Sequence, residues 1–240
     1  MNYEEFSKEL NYKIQKIGVN LNEIQIKQFY GYMKILLEWN EKINLTAITD
    51  ENEIILKHFV DCATIAKYVK EVDSVLDLGT GAGFPGIPLK IIKPKIKITL
   101  VDSLNKRINF LNELIKEIKL ENIETIHSRA EELAKNKEYR ESFDIAASRA
   151  VAPLNVLAEY ALPFVKIGGK LIAMKGSNAQ EEVEMGKKAV NVLGGKIKSI
   201  EKLELPDTDI TRNIILIDKI KNTPKGYPRK AGKPSKEPIL

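Results

Sequence analysis

Hydrophobic and polar positions follow two different rhythms along this chain, and the change falls near residue 70. Up to that point the apolar residues recur at helical spacing. Ile26, Phe29, Tyr30, Met33, Leu36 and Leu37 form one stripe at three- and four-residue steps, which predicts an amphipathic helix over Asn20–Trp39. Asn20 and Glu23 stand in the Asn-x-x-Glu arrangement that caps a helix start. A second helix is predicted over Glu51–Val69, and the polar run Asn40–Thr46 between them reads as a loop. From Ser74 short β-branched runs alternate with helical stretches. Strands are predicted at Ser74–Leu78, Ile96–Val101, Ile123–Ile126, Phe143–Ala147 and Lys170–Met174, with helices over 85–92, 104–119, 129–138, 153–165 and 178–193. Five strand–helix units in succession imply a mostly parallel sheet covered on both faces. After Gly194 and Gly195 the pattern becomes strand, turn, strand: Lys196–Leu205, the turn Leu205–Asp209, then Thr211–Lys219. The expected fold is therefore α/β, a Rossmann-like sheet with an antiparallel terminal hairpin and an N-terminal helical cap. It divides into a cap over 1–70, a sheet domain over 71–220 and a tail over 221–240.

Composition narrows the setting. A chain of 240 residues, 43% hydrophobic, can bury one sizeable core. No apolar run is long enough to span a membrane. The first ten residues carry four charged side chains and no apolar signal core, and Cys62 is the single cysteine, so a reducing cytoplasm is expected and neither a disulfide nor a cysteine-based metal site is. The net charge of +5 is uneven. From Lys219 to Leu240 there are seven basic residues, Arg229 and Lys230 among them, against one acid, so the tail holds the whole excess. Tyr227, Pro228, Gly232, Pro234 and Pro238 argue against a helix there. A flexible basic segment suits phosphate contacts, which need charge more than fixed geometry, and makes RNA the expected partner. Tyr227 leaves open the alternative that the tail folds back and braces the body.

The chemistry-bearing motif is Asp77-Leu-Gly79-Thr-Gly81-Ala-Gly83-Phe84-Pro85, placed where the first strand turns into the first sheet-domain helix. Glycines let backbone approach a ligand closely, but this spacing, with Gly81, Gly83 and Gly86, also satisfies the dinucleotide pattern. Asp77 separates the two readings: a carboxylate there is unhelpful beside a pyrophosphate and useful beside a cationic amino acid. S-Adenosylmethionine carries an ammonium and a sulfonium and no phosphate. Asp77 has the competing role of a loop-bracing carboxylate. The second strand ends in Asp102, placed to accept from ribose hydroxyls of either cofactor. The terminal hairpin, where NAD-binding folds keep a crossover helix, adds weight to S-adenosylmethionine and methyl transfer. The loops Ser128–Glu132 and Ala147–Pro153 follow the third and fourth strands and should flank the adenine and the methyl acceptor.

The residues absent narrow the reaction. No Pro-Pro pair stands at the fourth strand, as amino methylation of bases usually shows, and Cys62 lies in a predicted helix as a small core residue rather than a nucleophile. An acceptor with a free lone pair, such as a purine N7, needs only alignment in a dry site.

Several segments together resemble the bacterial small-subunit ribosomal RNA guanine-N7 methyltransferases, the RsmG or glucose-inhibited division protein B family. They are Trp39–Thr46, His58–Asp61, Asp77–Gly86, Asp102–Arg107, Ser148–Ala152, Met174–Gly176 and Tyr227–Pro234, spanning nearly the whole chain. The resemblance implies a monomeric class I S-adenosylmethionine-dependent methyltransferase acting on 16S ribosomal RNA or the small subunit. It places Gly79, Phe84, Ala130, Glu131 and Arg149 at the cofactor, and Asn44, His58, Lys175 and Arg212 on the RNA side. The residues alone leave other roles open: His58 as a satisfied helix residue, Arg149 as the partner of a loop carboxylate, Trp39 as an anchor between cap and sheet. A methyltransferase for a small molecule or protein, and a non-enzymatic nucleotide-binding module, are the competing functions. The basic tail argues against the first of these, and binding of S-adenosylmethionine without NAD would exclude the second.

Overall fold

A computed structural model describes all 240 residues. Seven strands form one sheet: β1 (Ser74–Leu78), β2 (Lys97–Asp102), β3 (Ile123–His127), β4 (Phe143–Arg149), β5 (Val165–Lys175), β6 (Gly195–Glu204) and β7 (Thr211–Lys219). Their spatial order is β3-β2-β1-β4-β5-β7-β6. The first five are parallel, while β7 runs antiparallel to β5 and to β6. Chain order therefore reverses between β1 and β4, and a crevice opens at their C-terminal ends.

The helices are α1 (Tyr3–Gln15), α2 (Glu23–Ile43), α3 (Glu51–Ile54), α4 (Asp61–Ala63), α5 (Gly86–Ile92), α6 (Asn105–Glu117), α7 (Ala130–Leu133), α8 (Leu154–Ala161), α9 (Ala179–Val192) and α10 (Lys233–Lys236). Strand residues alternate between two cores, as a sheet covered on both faces requires. Val75, Ile98, Leu100, Ile145, Ile172 and Leu216 join the core that also contains Phe6, Leu10, Phe29, Tyr32, Met33 and Leu36 of the cap. Leu76, Ala146, Leu171 and Ile215 face the other way, onto Leu154, Leu157, Val183 and Val190 of α8 and α9. The cap thus shares one continuous core with the sheet. Trp39 adds a polar tie, its Nε1 donating to Glu113 Oε1 at 2.8 Å while its ring meets Phe110 edge-on.

The structure corrects several local expectations. The capping pair of α2 is Asn22 with Gln25, not Asn20 with Glu23, and each side chain bonds the other's backbone N–H. Both pairs fit the same three-residue signature, and backbone geometry selects the later one. The helix expected over Glu51–Val69 is interrupted: Ile55–Val60 is wound as a π-helix between α3 and α4, and a short 3-10 turn follows at Ala66–Tyr68. The expected helix 129–138 shrinks to α7, and that over 153–165 gives way at Ala161 to a 3-10 turn, with β5 starting at Val165. The tail, expected to hold no helix, makes one turn at α10. No helix is long and apolar enough to cross a membrane.

Candidate active site

Two adjoining clefts open at the C-terminal ends of β1, β2 and β4, and Gly79 lines both. The loop between them is held from below by Asp77. This carboxylate is fully buried; its Oδ2 accepts from the Thr80 hydroxyl at 2.6 Å and the Gly86 N–H at 2.7 Å, while Oδ1 has no partner. Burial pushes its pKa up to about 7, against the pull of those two hydrogen bonds. Asp77 therefore braces the loop and lines neither cleft, the competing role left open above. Tyr32 of α2 steadies the loop from the cap side, donating its buried hydroxyl to the Ala82 carbonyl. Gly79 (φ 68°) and Gly81 (φ 61°) are in the left-handed region. A Cβ on Gly79 would come within 2.6 Å of Val151 Cγ2, whereas one on Gly81 would meet nothing and would project from a residue that lines the larger cleft. Gly83 lies behind the cleft wall, its Cα facing Ile87 and Tyr32.

The smaller cleft, about 200 Å³, is lined by Asp102, Ser128, Ala130, Glu131 and, beyond the sequence expectation, Tyr160, Gly232 and Ser235. Asp102 sits at the tip of β2 and is 3% exposed. It accepts from Gly81 N–H at 2.9 Å, Leu104 N–H at 2.9 Å and Arg107 Nη1 at 3.2 Å. A carboxylate offers about four acceptor positions, so one remains for a ligand hydroxyl.

The larger cleft measures about 490 Å³. The π-helical turn points Lys57 and His58 into it, and Asp61, the first residue of α4, follows them. Arg149, at the end of β4, ties that turn to the sheet. Its Nη1 donates to the Lys57 carbonyl at 2.9 Å and Asp61 Oδ2 at 3.3 Å, and its Nη2 lies 3.1 Å from His58 Nδ1. The guanidinium also lies 4.7 Å from the centre of the Phe84 ring, on which His58 stacks at 4.4 Å. Burial, reinforced by the Arg149 charge, lowers the His58 pKa to about 3, so the ring is neutral at physiological pH. Arg212 donates to the same Asp61 oxygen at 3.2 Å. Cys62 is completely buried, which pushes its thiol up to about 12, the behaviour of a core residue.

Of the residues expected on the RNA side, Lys175 lines the larger cleft but is engaged within the protein, Asn44 lies outside that cleft, and Arg229 is docked against the body. Lys175 is 8% exposed; its Nζ donates to the Ala152 carbonyl at 2.5 Å and pairs with Glu182 at 2.6 Å, so it clamps the β4–α8 loop to α9. Asn44 is exposed and outside the cleft lining; it ends α2 in the left-handed region (φ 50°). Arg229 is docked against the body. Its N–H and guanidinium grip Glu159, which is 0% exposed, with Nη2 to Oε2 at 2.6 Å. The tail is therefore ordered against the protein: Arg140 donates to the carbonyls of Thr223 and Tyr227, and Gly232 N–H donates to Glu131 Oε1 at 2.8 Å. Lys230 remains exposed. Thr46, Lys57, Asp61 and Arg107 line the larger cleft without having been singled out from the sequence, although Thr46, Asp61 and Arg107 close three of the quoted motifs.

S-Adenosylmethionine fits these two clefts. The smaller offers an unfilled acceptor on Asp102, the Gly81 backbone is open to close approach, and the pair of clefts meets at Gly79. Among solved structures, the chain resembles M. jannaschii TYW2 in complex with AdoMet (TM-score 0.52, 18% identity, 67% of this chain and 75% of that one). It also resembles geranyl diphosphate methyltransferase in complex with SAM (TM-score 0.53, 11% identity, 68% and 85%). At those identities the likeness speaks for the fold, a class I methyltransferase sheet. Relatives far nearer in sequence are named ribosomal RNA small subunit methyltransferase G. The one from Acetivibrio thermocellus is 56% identical, covering 92% of each chain, and the one from Oceanobacillus iheyensis is 54% identical, covering 94% of this chain and 96% of its own. The profile of the family described as rRNA small subunit methyltransferase G matches residues 25–214, and with this sheet, this loop and these relatives the chain belongs to that family.

Proposed function

We propose that this protein transfers a methyl group from S-adenosylmethionine to N7 of a guanine in small-subunit ribosomal RNA, acting as a cytoplasmic monomer. The observation that carries the choice of acceptor is the state of the ionisable groups in the larger cleft. His58 is neutral with both ring nitrogens engaged, Asp61 binds two arginines through Oδ2 and keeps its unpartnered Oδ1 shut off from solvent, and Lys175 is paired with Glu182. None is poised to take a proton, which suits a nucleophile that already owns a lone pair. The bound cofactor supplies an electrophilic methyl on a sulfonium. The protein's part is placement: Asp102 holds the ribose, Ala130 and Glu131 wall the adenine, and Gly79, Gly81, Phe84 and Arg149 shape the junction where methyl and acceptor meet. Gly83 and Asp77 keep the loop in form. Arg212 and Lys57 lie toward the RNA, and Lys230 can reach phosphate, while Arg229 and Lys175 hold the scaffold.

The test is to incubate the protein with labelled S-adenosylmethionine and with either naked ribosomal RNA or assembled small subunits, then digest to nucleosides. Label in 7-methylguanosine from small-subunit RNA is expected. Label in another nucleoside, or in protein alone, refutes the reading.

A further inference from the structure

Thr46 stands at the wall of the larger cleft, and its hydroxyl is constrained in an unusual way. The constraint starts at Arg149. A guanidinium has no acceptor and keeps its protons, so Arg149 Nη2, 3.1 Å from His58 Nδ1, can only donate there. Nδ1 also lies 3.2 Å from the Lys57 carbonyl, but a proton on Nδ1 would face the guanidinium N–H, and that carbonyl already receives Arg149 Nη1 at 2.9 Å. The neutral imidazole therefore carries its proton on Nε2, and Nε2–H donates to Thr46 Oγ1 at 2.9 Å. Ile48 N–H donates to the same oxygen at 3.1 Å. Both lone pairs of the hydroxyl are thus occupied, and its backbone N–H is pinned to Asn40 Oδ1 at 2.8 Å. An ordinary threonine hydroxyl rotates to donate or accept as its neighbour demands. This one can only donate, and the protein offers its proton no acceptor.

From this geometry we infer that the Thr46 hydroxyl is a specificity determinant that donates to the carbonyl oxygen beside the methylated nitrogen of the substrate base, guanine O6, and rejects a base with an amino group there. The inference rests on the guanine-N7 reading and adds to it a residue that enforces the choice of base. Guanine presents two acceptors, N7 and O6, along this edge, whereas adenine pairs its N7 with an N6 amino donor. A donor-only hydroxyl matches the first pattern and sets donor against donor in the second. Sites built to hydrogen-bond a polar group discriminate far better than shape alone, because the mismatched partner leaves buried groups unpaired.

The experiment compares wild type with Thr46→Val and Thr46→Ser on small subunits reconstituted with ribosomal RNA whose target position is guanine or 2,6-diaminopurine, which keeps N7 but replaces O6 by an amino group. On guanine, T46V should lower kcat/KM about 10- to 100-fold and T46S less than about threefold. On diaminopurine, where wild type is already poor, T46V should change the rate by less than about threefold, so discrimination collapses. Affinity for S-adenosylmethionine should stay within about twofold by calorimetry. Equal loss on both bases overturns the assignment in favour of a structural role, and a parallel loss of cofactor affinity overturns it in favour of a contact with the cofactor carboxylate. If wild type yields a product other than 7-methylguanosine, the underlying reading itself fails. If T46V does not fold, Thr46→Ala, which leaves space for water at His58 and Ile48, gives the same comparison.

Discussion

Replacing Arg229 by alanine separates a docked tail from an RNA-binding one. Glu159 is 0% exposed and spends both oxygens on Arg229, accepting its N–H at 2.8 Å, its Nε at 3.0 and 3.1 Å and its Nη2 at 2.6 Å. Removing the guanidinium leaves the carboxylate buried with a single backbone donor. Breaking a buried pair from one side costs about 3–5 kcal/mol. The Arg229 side chain is 21% exposed, so water can reach the gap and the low end applies, about 3 kcal/mol. For a chain of this size each kcal/mol lowers Tm by about 2–4 °C, so a fall of roughly 6–12 °C is expected in a thermal scan. Loosening Arg229 also frees Gly232, whose N–H holds Glu131 at the wall of the smaller cleft, so S-adenosylmethionine should bind several-fold more weakly by calorimetry. The double variant Glu159→Gln, Arg229→Met should recover most of the lost Tm, because no uncompensated charge remains. Lys230→Ala, at an exposed position, should leave Tm unchanged. If R229A shifts Tm by less than about 2 °C while lowering the log–log salt slope of RNA binding by roughly 0.7–0.9, the residue contacts phosphate and the docking argument is wrong.

Three further outcomes follow from the loop and its carboxylates. Because burial raises Asp77 to about 7, the folded chain holds that proton after the unfolded chain has released it. Wild type should therefore lose stability relative to Asp77→Asn as pH rises from about 4 to 7, by up to about 4 kcal/mol, with no difference below pH 4 and a plateau above 7; denaturant titrations giving parallel curves would show that Asp77 ionises normally. Gly81→Val should fold, at a strain of about 1–2 kcal/mol for its positive φ, yet lose cofactor binding, and unchanged calorimetric affinity in the folded variant would refute the loop assignment. Asp102→Ala should weaken cofactor binding by about 1.5–3 kcal/mol, with added loosening of the loop because Gly81 and Leu104 lose their acceptor; a loss below about threefold in affinity would remove Asp102 from the ribose.

What depends on short-range regularities was legible in the chain before folding was considered. The limits of β1 and β7, the alternation of strands and helices, the terminal hairpin and the glycine turn are written in period-two apolar runs, turn residues and positive-φ demands, all satisfied within a few positions. Asp102 was legible as a site residue because a strand's last residue in this fold opens on the crevice. How charged and polar groups are partnered became visible only in the assembled fold. Arg229 and Lys175 read as free cations until Glu159, 70 residues away from Arg229, and Glu182 claimed them. His58 owes its depressed pKa to burial and to Arg149, 91 residues along the chain, and the contact with Arg149 sets the tautomer that fixes the Thr46 hydroxyl. Tyr160 reaches the smaller cleft from α8, and Gly232 and Ser235 only because the tail docks there through Glu159 and Glu131. Hydrophobic periodicity records which face of an element is buried. The partner of a buried charge is set by desolvation in the assembled fold, and no local pattern encodes it.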